Sequence, residues 1–307
     1  MRMHPFCGLL LFSLRALYAG VSPGPVGPDL GIESGTLDVT WIHGAPDCKS
    51  NVDPPIQVHR YNSGLIIMRQ NKCVHYEAPF MYVIFGTKRA LLLDTGATKS
   101  AAEFPLRQTV ENLMLEHYGA DARSRIELIV AHTHGHGDHM AGDTQFAEQA
   151  GTRLVSPDEA PTFFGIRSWP STIGGVDLGG RILDVIPVPG HEGRDLAFYD
   201  RKTGLLFSGD SIYPGRIYIR NWKEFKSSIE RLMRFLEGRP LTYVMGAHIE
   251  MSAEAGVDYP VGTIFQKNEH TLQLSPEALT LLASRLRMLE RKPKKEVHPE
   301  FSIVTVF

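Results

Sequence analysis

Short apolar runs alternate with turn residues along the first half of the chain. Residues 57–61, 65–68, 81–85 and 90–93 are rich in leucine, β-branched and aromatic side chains, and Asn62-Ser63-Gly64 and Gly86-Thr87 separate successive runs. That pattern predicts neighbouring strands of an antiparallel sheet. After Asp94-Thr95-Gly96 the period lengthens, with Leu106, Val110, Leu113, Met114 and His117 at helical spacing through Tyr118. A strand over 127–131 follows and delivers the chain into Ala131-His132-Thr133-His134-Gly135-His136-Gly137-Asp138-His139. From there the pattern predicts a helix running to Gln149, a strand over 152–155 and a short helix over 157–164.

The alternation continues downstream. Residues 183–188 form a strand that enters Pro189-Gly190-His191, and 196–199 with 205–208 form a hairpin around Asp200-Arg201-Lys202-Thr203-Gly204. Asn221, three residues before Glu224, caps a helix whose apolar stripe is Trp222, Phe225, Ile229, Leu232, Phe235 and Leu236. A strand over 242–245 ends in Gly246-Ala247-His248. A helix over 276–291 and a strand over 302–307 complete an α/β pattern, and Arg291-Lys292-Pro293-Lys294-Lys295 between them is a solvated turn. No repeat of solenoid length is present.

The first residues stand apart. Residues 1–20 have the outline of a secretory signal peptide: a weakly basic start, an apolar run from Phe6 to Leu14 and small residues before Gly20. The run is too short to span a bilayer, so no membrane span is expected after the leader. Residues 21–36 are a proline- and glycine-rich linker, and 37–307 form the folded domain. The expectation is export to the periplasm or the outside, or a cytoplasmic location if the leader is not used. Of the three cysteines, leader removal leaves Cys48 and Cys73, either a single disulfide or two unrelated buried thiols.

Composition narrows the partners more than the fold. At 307 residues, with 43% hydrophobic and 21% charged, the chain can bury a large core in one domain or two smaller ones. A net charge of -2 offers nucleic acid no strongly basic face, so a small-molecule substrate is expected.

The chemistry concentrates in the histidine stretch. Imidazole is the commonest neutral metal ligand, and an adjacent carboxylate adds an oxygen donor. A His-x-His register can begin at His132 or His134, but only the second continues as His134-x-His136-x-Asp138-His139. Alternate residues leaving a strand point the same way, so His134 and His136 can grip one ion while Asp138 and His139 reach a second. His132 is then a bystander at the strand end.

This His-x-His-x-Asp-His motif after a strand resembles the signature of the metallo-β-lactamase superfamily. The resemblance extends over residues 55 to 250, through Leu91-Leu92-Leu93-Asp94-Thr95-Gly96, Val188-Pro189-Gly190-His191, Ser208-Gly209-Asp210 and Gly246-Ala247-His248. In ligand pattern it is most similar to the glyoxalase II and lactonase-like branches, which keep a bridging aspartate. It implies a four-layer αββα sandwich with the metals at one edge of two sheets. It further implies that His134, His136 and His191 bind one metal, that Asp138, His139 and His248 bind the other, and that Asp210 bridges them. Two zinc ions suit this donor set, with iron or manganese as alternatives.

The implied activity is hydrolysis, in which a metal-bridging hydroxide attacks a small ester, lactone, thioester or amide. An iron-dependent oxidoreductase of the same fold, similar to persulfide dioxygenases, is the alternative from another class; a phosphodiesterase or a β-lactamase are further ones. Asp138 is a candidate catalytic residue, orienting the nucleophile and carrying its proton. Tyr213, three residues after Asp210, resembles a lactonase tyrosine that can donate to the substrate carbonyl or oxyanion. Asp94 is expected to support the ligands by hydrogen bonds. His75, Glu77, Phe80, Tyr218 and His270 are candidates for the pocket wall, and residues 163–173, with Trp169 and Pro170, for a lid.

Overall fold

Among the described residues fifteen strands form, and the apolar runs at their centre, such as Leu65–Gln70 and Phe80–Phe85, are buried on both faces. A computed structural model describes residues 31–289 and 292–306, so the leader and most of the linker lie outside the described residues. The first six strands are β1 (Ile56–Asn62), β2 (Leu65–Gln70), β3 (Phe80–Phe85), β4 (Arg89–Leu93), β5 (Glu127–Ala131) and β6 (Thr152–Leu154). They form one sheet in that order, antiparallel through β4 and parallel from β4 to β6. The helix Leu106–Tyr118 makes the crossover between β4 and β5, as a parallel step requires.

The remaining strands are β7 (Gly174–Asp177), β8 (Ile182–Pro187), β9 (Leu196–Asp200), β10 (Leu205–Gly209), β11 (Arg216–Ile219), β12 (Tyr243–Gly246), β13 (Gln273–Leu274), β14 (Lys295–Val297) and β15 (Ser302–Thr305). A second six-stranded sheet has the order β13-β12-β10-β9-β8-β7, and β11-β15-β14 make a small third sheet.

Side-chain alternation sorts these strands into layers. Leu65, Ile67, Tyr82, Leu91 and Ile129 of the first sheet face Val185, Phe198, Leu205 and Phe207 of the second in one core. The opposite positions of the first sheet, Ile66, Met68, Val83 and Leu92, bury Val110, Leu113 and Met114 of the crossover helix. Ile186, Ala197, Leu206 and Val244 bury the helices Trp222–Leu236 and Pro276–Met288 on the outer face of the second sheet. The result is the αββα sandwich. Strands buried on both faces explain uninterrupted runs such as Leu91-Leu92-Leu93.

Several elements differ from the sequence expectation. Gly137–Met140 is a single α-turn, followed by a 3-10 stretch, Ala141–Gln145, in place of a helix to Gln149. Tertiary bonds hold this segment down, from Ala141 N to the Gly96 carbonyl (3.0 Å) and from Thr95 N to the His139 carbonyl (2.8 Å). β7 and β11 are additional strands; Gly174 and Gly175 conceal the first in any propensity reading. The short helix is Ala160–Phe163, and Lys295, exposed as the basic run suggested, opens β14 with its amine 2.8 Å from Asp258. In the segment expected as a lid, Phe164 and Ile166 are buried in the inter-sheet core.

Cys48 and Cys73 form a disulfide with Cα atoms 5.2 Å apart and 25 residues of separation. Closing a loop of that length in the unfolded chain is worth about 3 kcal/mol. Reduction is therefore expected to lower the melting temperature by roughly 5 °C in a chain of this size, read by calorimetry with and without a reductant. An unchanged melting temperature with both thiols free would contradict that role.

Candidate metal centre

Five strand ends meet at one edge of the sandwich. β4 ends in Asp94 and its parallel neighbour β5 in the histidine stretch, while β8, β10 and β12 run out into His191, Asp210 and His248. Two glycines make the approach tight enough. At Gly209, with φ +52°, a Cβ would lie 2.6 Å from that of Thr133. At Gly190, with φ +146°, a Cβ would lie 2.5 Å from that of Phe225. A side chain at Gly209 would push β10 away from the histidine stretch, and one at Gly190 would push the His191 loop away from the helix Trp222–Leu236.

The side chains form two groups. His134, His136 and His191 make one and Asp138, His139, Asp210 and His248 the other, with the donor atoms of each within 4.8 Å of one another. Asp210 faces both. Its Oδ2 is 3.9 Å from His134 Nε2 and 3.5 Å from His191 Nε2, while Oδ1 is 3.5 Å from His139 Nε2 and 3.4 Å from His248 Nε2. Asp138 Oδ2 lies 3.5 Å from His139 Nε2 and 3.3 Å from His248 Nε2.

Hydrogen bonds on the far side of the rings decide which nitrogen is bare. His191 Nδ1 donates to the Tyr218 carbonyl (2.9 Å), His248 Nδ1 to the Glu77 carbonyl (3.1 Å) and His139 Nδ1 to Asp94 Oδ2 (2.9 Å). Their Nε2 atoms are left as acceptors. The bare Nε2 atoms of His139 and His248 then face one another at 3.3 Å, and His134 Nε2 and His191 Nε2 converge on His136 Nδ1 at 2.9 Å and 3.0 Å. Converging lone pairs repel unless a cation sits among them. Asp210 Oδ1 is buried without a hydrogen-bond partner, a second sign that a cation belongs there. Nitrogen and carboxylate donors in these two groups fit a pair of divalent ions.

The electrostatics point the same way. Burial would raise the Asp210 carboxyl, but His248 and His139 hold it well below the usual range. Asp138 is likewise held low against burial, by the neighbouring His139 and His248 imidazoles. Burial opposes charge on His248, yet Asp210 and Asp138 push it up to about 9. A pocket that draws positive charge onto buried imidazoles this strongly also attracts a divalent ion.

Asp94 is fully buried, with φ +65°, and accepts from Thr133 N (2.7 Å), Thr133 Oγ1 (2.9 Å) and His139 Nδ1 (2.9 Å). Asp94→Asn, which keeps the shape and tolerates the left-handed backbone, is expected to weaken metal retention or turnover by roughly 10–100-fold. Chelator competition and steady-state kinetics read this; an asparagine variant equal to the parent in both would rule it out. His132 is buried outside both groups, with Nε2 3.2 Å from Asp143 Oδ2.

The other sequence candidates are distributed differently. The Tyr213 hydroxyl donates to the Arg216 carbonyl and lies 3.2 Å from Glu250 Oε2, while its ring meets His248 edge-on at 5.8 Å. Phe80 is core, 4.9 Å from the Trp41 ring centroid. His75 stacks on Tyr76, and His270 lies 3.8 Å from Glu300. Glu77 and Tyr218 reach the centre through backbone carbonyls, a role with no sequence signal. Thr133, which links His134 Nδ1 (3.2 Å) to Asp94, was missed although it lies inside the motif.

With this geometry established, three comparisons bear on the chain. The profile of the Metallo-beta-lactamase superfamily matches residues 77–248. A hydroxyacylglutathione hydrolase of Erythrobacter litoralis is 31% identical over 126 residues, 40% of this chain and 49% of that protein. An acyl-coenzyme A thioesterase, MBLAC2 of Gallus gallus, is 27% identical over 205 residues, 56% of this chain and 72% of that protein. The alignment thus spans about half the length of the first of these relatives. Among solved structures, a metallo-beta-lactamase from Pontibacter korlensis matches with TM-score 0.50 at 18% identity, covering 76% of this chain and all of that one, which bears on fold alone.

Proposed function

The chain belongs to the metallo-beta-lactamase superfamily, and we propose that it is a metal-dependent hydrolase, a dinuclear zinc thioesterase acting on the S-acyl derivative of a small thiol carrier. The observation that carries this reading is the complete pair of ligand groups with Asp210 between them, one carboxylate oxygen toward each. The thioester class is supported by the relatives, whose names describe hydrolysis of S-acyl glutathione and S-acyl coenzyme A.

His134, His136 and His191 would hold one ion, Asp138, His139 and His248 the other, and Asp210 would touch both. Such ions supply Lewis acidity and a nucleophilic water at neutral pH. The chain supplies orientation and proton handling. The carbonyls of Tyr218 and Glu77 and the carboxylate of Asp94 lock three imidazoles in the tautomer that presents Nε2. Asp138 keeps 23% of its side chain exposed, against 10% for Asp210, so it is the carboxylate placed to take a proton from the attacking water and pass it to the departing thiolate. The Tyr213 phenol, committed to Arg216 and Glu250, serves in this reading to seat β11 beside His248.

The test is a substrate panel on zinc-loaded protein: S-acyl glutathiones, acyl-coenzyme A esters, lactones, phosphodiesters and β-lactams. Turnover is expected on thioesters, lost on chelation and restored by zinc. Turnover confined to any other class, or iron as the metal that restores activity, would overturn the assignment.

A further inference from the structure

His132 is the imidazole of the histidine stretch that joins neither ligand group, yet its side chain is fully enclosed and faces two carboxylates. Nε2 is 3.2 Å from Asp143 Oδ2, and Nδ1 is 3.9 Å from Asp94 Oδ1. Neither ring nitrogen has an aligned hydrogen bond among the described residues. A polar group buried in that state needs a physical reason. The reason lies in the other oxygen of Asp143.

Asp143 Oδ1 accepts from Thr95 Oγ1 at 2.7 Å. Thr95 is fully buried; its N donates to the His139 carbonyl at 2.8 Å, and its hydroxyl lies 3.2 Å from the same carbonyl oxygen. One carboxylate therefore joins three pieces of chain: the end of β4 at Thr95, the end of β5 at His132, and the 3-10 stretch Ala141–Gln145 that carries Asp143 itself. Contact among them is close. A Cβ on Gly142 would lie 2.4 Å from the Thr95 carbonyl oxygen, and Ala141 N donates to the Gly96 carbonyl at 3.0 Å.

This arrangement bears on one ligand group and not the other. Asp138 and His139 sit on the single turn Gly137–Met140, which runs directly into the stretch that Asp143 holds. They are two of the four members of the second group. In the first group His191 is held by the Tyr218 carbonyl and His134 by Thr133. Among the described residues no hydrogen bond or ion pair joins His134, His136 or His191 to Asp143 or Thr95. Asp143 also keeps 19% of its side chain exposed and belongs to none of the apolar cores, so truncating it removes its polar contacts and little packing.

Resting on the reading of the two groups as a dinuclear metal centre, we infer that Asp143 and His132 form a clamp that positions the Asp138–His139 turn, and so set the affinity of the second group for its ion while leaving the first group alone. Both are positioning residues. Asp143 acts through Thr95 and the His139 carbonyl, and His132 anchors Asp143 from the β5 side.

The test is titration of the chelator-stripped full chain with cobalt(II), followed by calorimetry and by visible absorption, which reports the geometry around each bound ion. His136→Ala, which lacks a ligand of the first group, identifies the binding step that belongs to the second. Asp143→Ala is expected to weaken that step by roughly 10–100-fold, as loss of an outer partner of a metal ligand does, with the other step unchanged. Asp143→Asn keeps an oxygen that accepts from Thr95 and should stay within roughly 5-fold of the parent. His132→Phe, which keeps a ring of similar shape, is expected to weaken the same step by roughly 5-fold, and it carries the test if Asp143→Ala does not fold. The melting temperature is recorded for each variant. A clamp that only stabilised the fold would lower the melting temperature and leave both steps as in the parent; that result, or equal weakening of both steps, overturns the inference. A parent that takes up fewer than two ions is a separate failure, since it overturns the dinuclear reading and the positioning role with it.

Discussion

Asp210→Ala is expected to hold fewer than two metal ions per chain and to lose nearly all turnover. The carboxylate turns one oxygen toward each ligand group, with its four imidazole contacts between 3.4 and 3.9 Å. Removing it leaves four buried rings and their cations without the central negative charge. Losing one partner of a buried charge network costs about 3–5 kcal/mol, or roughly 10²–10⁴-fold in rate if it appears in the transition state. Elemental analysis and kcat/KM measure the two effects together. Asp210→Asn keeps the shape and one oxygen donor, so an intermediate metal content is expected from it. An alanine variant with two metals and parental turnover would show that Asp210 does not join the two groups.

Asp200→Ala is expected to be the most destabilising single change remote from the metals. Asp200 is fully buried and binds the guanidinium of Arg181, itself 2% exposed, at 2.5 Å and 3.2 Å. Thr203 Oγ1 donates to the same carboxylate at 2.6 Å. Arg181 reaches across to the Gly64 carbonyl at 2.5 Å, so the pair ties the second sheet to the β1–β2 turn of the first. Without Asp200 a guanidinium remains buried and uncompensated, at a cost of about 3–5 kcal/mol. The melting temperature should fall by roughly 5–8 °C in a chain of this size. The double variant Arg181→Met, Asp200→Leu should recover most of that loss, since an apolar pair of similar volume avoids desolvating charge. If the double variant melts as low as the single one, packing rather than the ion pair is responsible.

Much of this molecule was legible before any coordinates. The runs 81–85 and 127–131 read as strands because β-branched and leucine side chains fill both faces, and Asn221 caps its helix through Glu224 N as the sequence pattern required. The segment after His139 was not legible. Its residues could continue a helix, but hydrogen bonds to Gly96 and Thr95 end it after one turn, and those partners lie more than 40 residues upstream. Glycine-rich β7 was hidden for the opposite reason, because its pairing with β8 supplies what its own propensity lacks.

The metal centre divides along a similar line. Ligand identity was written in the chain, because imidazole and carboxylate at His134, His136, Asp138 and His139 are the residue types that bind divalent ions, at spacings that strand and turn geometry bring to one place. The sequence could also mark His191, Asp210 and His248 as partners through their short motifs. Tertiary structure alone decided which ring nitrogen each histidine presents, because the acceptors behind the rings include the backbone carbonyls of Glu77 and Tyr218, and a carbonyl carries no residue type. It alone turned Tyr213 toward Arg216. Chemistry that depends on what a side chain is can be read along the chain; chemistry that depends on what stands opposite it waits for the fold.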